Sequence, residues 1–293
     1  MHSKKSVSLI CLILSVDKSP WREIQDMGQN ETFARVAGSD ITYLRYVGQN
    51  ARTPILGVLA LTLKKLQHWA YLRFSNQTGL KWIANFAYWR LGDKLIQRGD
   101  SWVFPETHIR QEQNPGPPSS PAVIVTQSLE HSVLIGLKTI KALQFIVDNY
   151  SFDYIFRTNS SSFVDGPLLL KYVKNLPAGD VYGGVLGDSP KGPFASGAGI
   201  LLSKSLIEKV LKEASSWRHG LIDDVALSEI IRERILTPLQ FTNLSRVQFR
   251  TLAEAQDSPA EVIKNEYHFR CKTDSATGTI QIMEEIYKRK KKN

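Results

Sequence analysis

The chain has 293 residues, 42% hydrophobic and 22% charged, an ordinary globular composition with enough apolar mass for a full core. Its formal net charge of +9 fits an anionic partner such as nucleotide phosphates or a lipid-phosphate acceptor, while no element interleaves basic and aromatic residues as a nucleic-acid surface does, so no nucleic acid is expected. The two cysteines, Cys11 and Cys271, are too few for a disulfide framework and suggest no metal cluster.

Lys4 and Lys5 followed by Val7 to Val16 have the outline of a signal peptide, but Asp17 to Trp21 offer no small-residue cleavage site, and the run is far short of the ~20 residues that span a bilayer. The run is expected to be the first strand, buried on both faces, in a cytoplasmic chain with no signal peptide or transmembrane anchor. Cys11 would then sit in the core, and both thiols would be free. Arg22 to Phe33 has a helical pattern, and Ile41 to Val47 alternates as a second strand. Leu56 to Leu72 and Leu80 to Arg98 read as helices carrying Trp69, Trp82 and Trp89. They form an expected helical insertion over about 55–98, packed on the sheet; the alternative is an aromatic surface in peripheral contact with a membrane.

Gly99 to Phe104 reads as a short strand, and the Pro/Gly/Ser-rich stretch 111–121 as a flexible loop. Val123 to Thr126 is a brief strand and Leu134 to Asn149 a strong helix. Phe152 to Phe156 is a buried strand that ends in a polar cluster, Arg157 to Ser162, the kind of strand end where open α/β sheets place ligands. Leu168 to Leu176 is amphipathic, Asp180 to Leu186 a strand, and Phe194 to Ser203 a turn (Ser196, Gly197, Ala198, Gly199) followed by a strand. Leu206 to Ser215 is helical. Asp223 and Asp224 open a further helix, where one carboxylate is expected to cap the helix and the other to face a cleft. Leu239 to Phe249 is mixed. Tyr267 to Lys272 alternates, so His268, Arg270 and Lys272 would point one way. Ile280 to Lys288 is a terminal helix, and the basic tail 288–293 is expected to be disordered.

Four of these features occur in one order: the Lys138–Thr139 helix, the FDY strand with its polar knot, the SGAG stretch and the LIDDVAL helix start. In that order, over roughly residues 130–235, the chain resembles the β-1,3-glycosyltransferase family, which includes Fringe and the β-1,3-galactosyltransferases. The resemblance implies an α/β fold of GT-A type: a nucleotide-sugar-binding sheet flanked by helices, in a single catalytic domain spanning 1–287. It implies transfer from a nucleotide-sugar donor, a UDP-sugar by expectation, to a glycan or glycolipid hydroxyl, with inversion. The alternative is a catalytically inactive relative that still binds glycan or nucleotide.

On the same resemblance, Ser15, Val16 and Asp17 lie near the base, with a turn or helix-capping role for Asp17 equally open. Ser196, Gly197, Ala198 and Gly199 let the donor sugar approach the backbone. Asp224 is the base, supported by Asp223. The family's acidic DxD triplet, however, is replaced here by Asn159, Ser160 and Ser161. Three neutral ligands hold Mn²⁺ or Mg²⁺ weakly. Either the diphosphate carries the metal, with Asn159, Ser161 and His268 as minor ligands, or fixed cations replace it. The candidates for that role are Arg157, with Thr158 beside it, and Lys138, His268, Arg270 and Lys272.

Overall fold

The computed structural model describes residues 7–35, 40–49, 62, 106–110, 121–131, 134–189, 192–219, 221–235 and 240–292. The expected helical insertion at 55–98, the strand at 99–104 and the flexible loop, apart from Pro121, lie outside the described residues.

An eight-stranded mixed sheet flanked by helices organises the molecule. Its strands are β1 (Leu9–Leu14), β2 (Ile41–Gln49), β3 (His108–Arg110), β4 (Ala122–Leu129), β5 (Tyr154–Asn159), β7 (Val181–Gly187), β8 (Phe194–Ser203) and β9 (Gln240–Asn243), in the order β3-β4-β2-β1-β5-β8-β7-β9. A second sheet of three short strands, β10 (Val247–Phe249), β11 (His268–Cys271) and β6 (Ser162–Val164), stands beside it.

The apolar run of β1 is central because both of its faces are buried. Leu9, Cys11 and Ile13 join one core, with Phe163, Phe269 and the helices α3 (Gly166–Val173) and α8 (Ala276–Lys292). Ile10 and Leu12 join the other, with α2 (Ile135–Asn149), α4 (Lys204–Lys212) and α5 (Asp223–Arg234). A strand whose alternate residues meet opposite cores must be apolar throughout. Cys11 and Cys271 are both buried and free.

From β1 the chain steps outward through β2 to β4, all parallel, and then returns to lay β5 parallel on the other side of β1. The crevice beyond the C-terminal ends of β1 and β5 is therefore a topological switch point, where open α/β sheets bind ligands. Beyond β5 the sheet turns antiparallel through β8 and β7.

Several expectations need correction. Arg22–Phe33 is not one helix: a turn, α1 (Trp21–Glu23), runs into a π-helical stretch, Ile24–Gln29. Strand β5 runs through Arg157 and Thr158 to Asn159, so half of the polar cluster belongs to the strand. The SGAG residues lie within β8, not in a turn before it. The mixed segment resolves into β9 and β10. The short helices α6 (Leu252–Asp257) and α7 (Ala260–Asn265) precede β11.

The basic tail is not disordered, because α8 continues through Lys292. The Arg289 guanidinium donates to the carbonyls of Ala255, Gln256 and Ser258 at the end of α6, at 2.5, 3.1 and 2.7 Å. Lys290 donates to the Glu266 carbonyl at 2.9 Å and pairs with Asp165 at 2.8 Å. These bonds hold the last turns of α8 in place. Among the described residues no helix is long and apolar enough to cross a membrane.

Candidate active site

The site is built around the bulge in β8. Between the pairs Gly184↔Ile200 and Leu186↔Ala195, β8 advances five residues while β7 advances two. The excess holds Ser196 to Gly199, and it faces the end of β5, where Thr158 pairs with Gly199. Bulges re-aim the side chains beside them. Here the change of phase puts neighbours on both faces. A methyl group on Gly197 would lie 2.8 Å from Arg157 Nη1 and 3.1 Å from Asp224 Oδ2, and one on Gly199 would lie 2.4 Å from His268 Cε1. The glycines therefore admit the protein's own side chains.

Arg157 is buried and fully engaged. Its Nε donates to Tyr46 Oη and its Nη1 to the Gly197 carbonyl, both at 3.0 Å, and its Nη2 pairs with Asp223. Burial is the largest influence and opposes its charge, but Asp223, Tyr46 and Asp224 together outweigh burial and raise the pKa. Asp223 does not cap α5; Ile222 is the N-cap and makes no side-chain cap bond.

Asp224, 9% exposed, accepts from Gly197 N at 2.8 Å through Oδ2 and from Val225 N at 2.9 Å through Oδ1. Burial and then the Asp223 charge raise its pKa, while Gly197 N and Arg157 pull it back. A carboxylate has about four acceptor positions, so two accepted bonds leave it able to take a proton.

The Asn159–Ser162 loop is turned in on itself. Asn159 Oδ1 accepts from Ser161 N (3.2 Å), Ser161 Oγ (3.0 Å) and Ser162 Oγ (3.3 Å). Ser160 Oγ donates to the Leu14 carbonyl, and Thr158 Oγ1 to the Ala198 carbonyl. Gln29, fully buried on the π-helical stretch, donates Nε2 to the carbonyls of Asn159, Ser160 and Ser162 at 3.3, 3.1 and 3.3 Å. It is a positioning residue that the sequence reading missed. Its signal was a pair of glutamines, Gln25 and Gln29, spaced i, i+4 in the stretch IQDMGQ.

The three-stranded sheet brings basic residues to the same place. Arg270 pairs with Ser162 across β11 and β6, and Cys271 N donates to the Ser161 carbonyl at 2.7 Å. His268 and Arg270 share one face of β11. His268 stacks edge-on against Phe156 and is buried. Burial, followed by the Arg246 charge, lowers its pKa to about 3, so at neutral pH it is an uncharged imidazole and not a fixed cation. Arg246, which the sequence reading did not single out, donates Nη1 to Ser196 Oγ at 3.0 Å. Its only signal was a basic residue in the polar stretch NLSR between two strands.

The remaining candidates lie as follows. Ser15 is buried at the end of β1 with no partner for its hydroxyl among the described residues, and Val16 follows it half-buried. Asp17 pairs with Arg110 at 2.7 Å and with Arg22 at 3.4 Å, which ties the β1 loop to the edge strand β3. Lys138 is buried against Glu130 at 2.5 Å, a matched pair inside the fold. Lys272 is exposed, one residue past β11, and makes no hydrogen bond or ion pair among the described residues. Ser196 to Gly199, Arg157, Asp223, Asp224, the Asn159–Ser162 loop, His268 and Arg270 are thus brought together. Asp17, Lys138 and Lys272 are not drawn into that contact set.

The residues at the triplet position do not fit a divalent cation. The Asn159 oxygen is spent on its own loop, and two guanidinium groups, Arg246 and Arg270, lie beside His268. Among the described residues no three His, Cys, Asp or Glu side chains cluster as a metal site would require.

No family model matches the chain, and no curated protein matches it. Among the solved structures that are similar, two stand at 10% identity. One is the glycosyltransferase GlyE of Streptococcus pneumoniae TIGR4, with a TM-score of 0.40 over 92% of this chain; the chain spans 55% of that protein. The other is a glycosyltransferase involved in the glycosylation of the major capsid of PBCV-1, with a TM-score of 0.41, covering 94% of this chain and 98% of that one. Likenesses this distant assign no chemistry, and the site stands on its own topology and contacts.

Proposed function

We propose that this chain is an inverting glycosyltransferase that moves a sugar from a nucleoside-diphosphate sugar, with a UDP-sugar as the first donor to test, to a hydroxyl of a glycan or glycolipid. The observation that carries this reading is that consecutive residues of one bulge anchor the two kinds of group the reaction needs. Ser196 holds Arg246, and Gly197 holds Asp224. Both sit at the switch point where α/β sheets bind nucleotides. The β-1,3 linkage of the family the sequence resembles is the linkage to examine first.

In this reading the acceptor oxygen attacks the anomeric carbon of the sugar as the bond to the diphosphate breaks. The bonding pair leaves with the diphosphate, and the hydroxyl proton passes to Asp224. Asp223 contributes by holding Arg157, which in turn fixes the Gly197 carbonyl. The raised pKa of Asp224 moves the acidic limb of the activity profile above that of an ordinary carboxylate.

The test is release of UDP from UDP-sugars with oligosaccharide acceptors. Asp224→Asn is expected to abolish turnover by at least ~100-fold while donor binding is retained. If the variant turns over normally, Asp224 is not the base. A second reading, a catalytically silent nucleotide- or glycan-binding relative, draws on the neutral loop and on the near-complete burial of Asp224. Tight UDP binding with no release from any UDP-sugar would select it.

A further inference from the structure

The buried and half-buried basic candidates differ in whether their charge is already answered. Lys138 has Glu130, and Arg157 has Asp223. Arg246 and Arg270 have no carboxylate: among the described residues neither makes an ion pair, and Arg246 has only the neutral Ser196 hydroxyl. Among the described residues the buried Nε of Arg270 has no partner, nor has Nε2 of His268 beside it. Both arginines are half-buried, and each lies close enough to His268 to help suppress its protonation. Burial and Arg270 likewise lower the pKa of Arg246.

A fold that holds two partly desolvated guanidinium groups together, facing a neutral loop, leaves positive charge for a ligand to neutralise. Guanidinium forks match phosphate oxygens in pairs, and their planar geometry favours a ligand with several such oxygens. The neighbouring loop, residues 159–162, carries no carboxylate to repel an anion.

We propose that Arg246 and Arg270 form a diphosphate clamp that works without a metal ion, doing at this site what a carboxylate-held dication would otherwise do. The clamp rests on the nucleotide-sugar reading only for the source of the diphosphate. Its two guanidinium groups hold the non-bridging oxygens, and the buried neutral His268 keeps their spacing.

The experiment is calorimetric titration of the full chain, stripped and kept in EDTA, with UDP, UMP and inorganic pyrophosphate. UDP and pyrophosphate are expected to bind, and UMP more weakly by about tenfold or more, the worth of one lost charge-assisted contact. Arg246→Gln and Arg270→Gln should each weaken UDP by about tenfold or more, and the exposed control Lys212→Gln should not. Should either glutamine variant fail to fold, Arg246→Lys and Arg270→Lys keep the charge and lose the fork, and UDP affinity should still fall. Binding of wild-type protein should also weaken steeply as salt is raised. Binding that needs added Mn²⁺, variants that bind like wild type, indifference to salt, or no binding of either diphosphate would each overturn the clamp. Pyrophosphate binding as tight as that of UDP, with loss in both variants, would keep the clamp and remove the nucleotide as its source, so the two readings fail separately.

Discussion

A methyl group at Gly199 would place a carbon 2.4 Å from His268 Cε1 and 2.8 Å from both His268 Nδ1 and Phe156 Cζ. Neither ring has room to retreat, since both are buried. Gly199→Ala is therefore expected to destabilise the protein by about 1–3 kcal/mol, the usual cost of overpacking a core. The urea midpoint measures it. His268→Ala in the same chain should recover part of the loss, because the clash is with that ring. If the single variant melts like wild type, the close approach of β8 to β11 is not a packing constraint. The same residue shows why a Gly-x-Gly is hard to read in a sequence. The need for glycine is local, but the side chain that imposes it, His268, lies 69 positions further along the chain.

At the scale of elements, α8 closes the structure on the core through Ile282, Met283 and Ile286, and Arg289 then fastens it to the end of α6. Carbonyls at a helix C-terminus are unsatisfied and carry partial negative charge, so a cation there both bonds and complements the dipole. Arg289→Ala should cost roughly 1.5–3 kcal/mol, the range for hydrogen bonds to charged groups, and the exposed pair Lys291→Ala and Lys292→Ala within about 0.5 kcal/mol. Equilibrium denaturation of the two variants checks the contrast; equal stabilities would mean that the tail only decorates the surface. In sequence the five basic residues Lys288, Arg289, Lys290, Lys291 and Lys292 look alike. Which of them are structural depends on α6 and α7, elements too short to show a hydrophobic period.

At the scale of the whole molecule, two sheets meet at His268. Its pKa falls from 6.5 to about 3 on folding, through burial first and Arg246 second. The unfolded chain thus binds a proton that the folded one refuses. The stability this contributes is complete above pH 6.5 and is lost as the pH falls toward 3. The loss is at most about 1.4 kcal/mol per pH unit. Asp224 acts in the opposite sense: a carboxyl with a raised folded pKa favours the folded state as pH falls. Comparing wild type with His268→Gln isolates the histidine. Between pH 7.5 and pH 5.0 the wild type should lose on the order of 2 kcal/mol more than the variant. Parallel stability curves would mean that the ring is protonated, or solvated, in the folded state.

The sequence alone determined the central strands and their helices, because apolar residues in runs or at helical spacing declare which surfaces must leave water. The order of Arg157 to Ser162, the SGAG stretch, Asp223 and Asp224, through its resemblance to a known family, also grouped them as one expected working region. Only the tertiary structure decided which charges in that region are available. Arg157 is neutralised by Asp223, 66 residues away, while Arg246, anchored to Ser196 across 50 residues, keeps its charge. Pairing of charges is a matter of distance in space, and strands brought together by a sheet carry no record of that distance in their spacing along the chain.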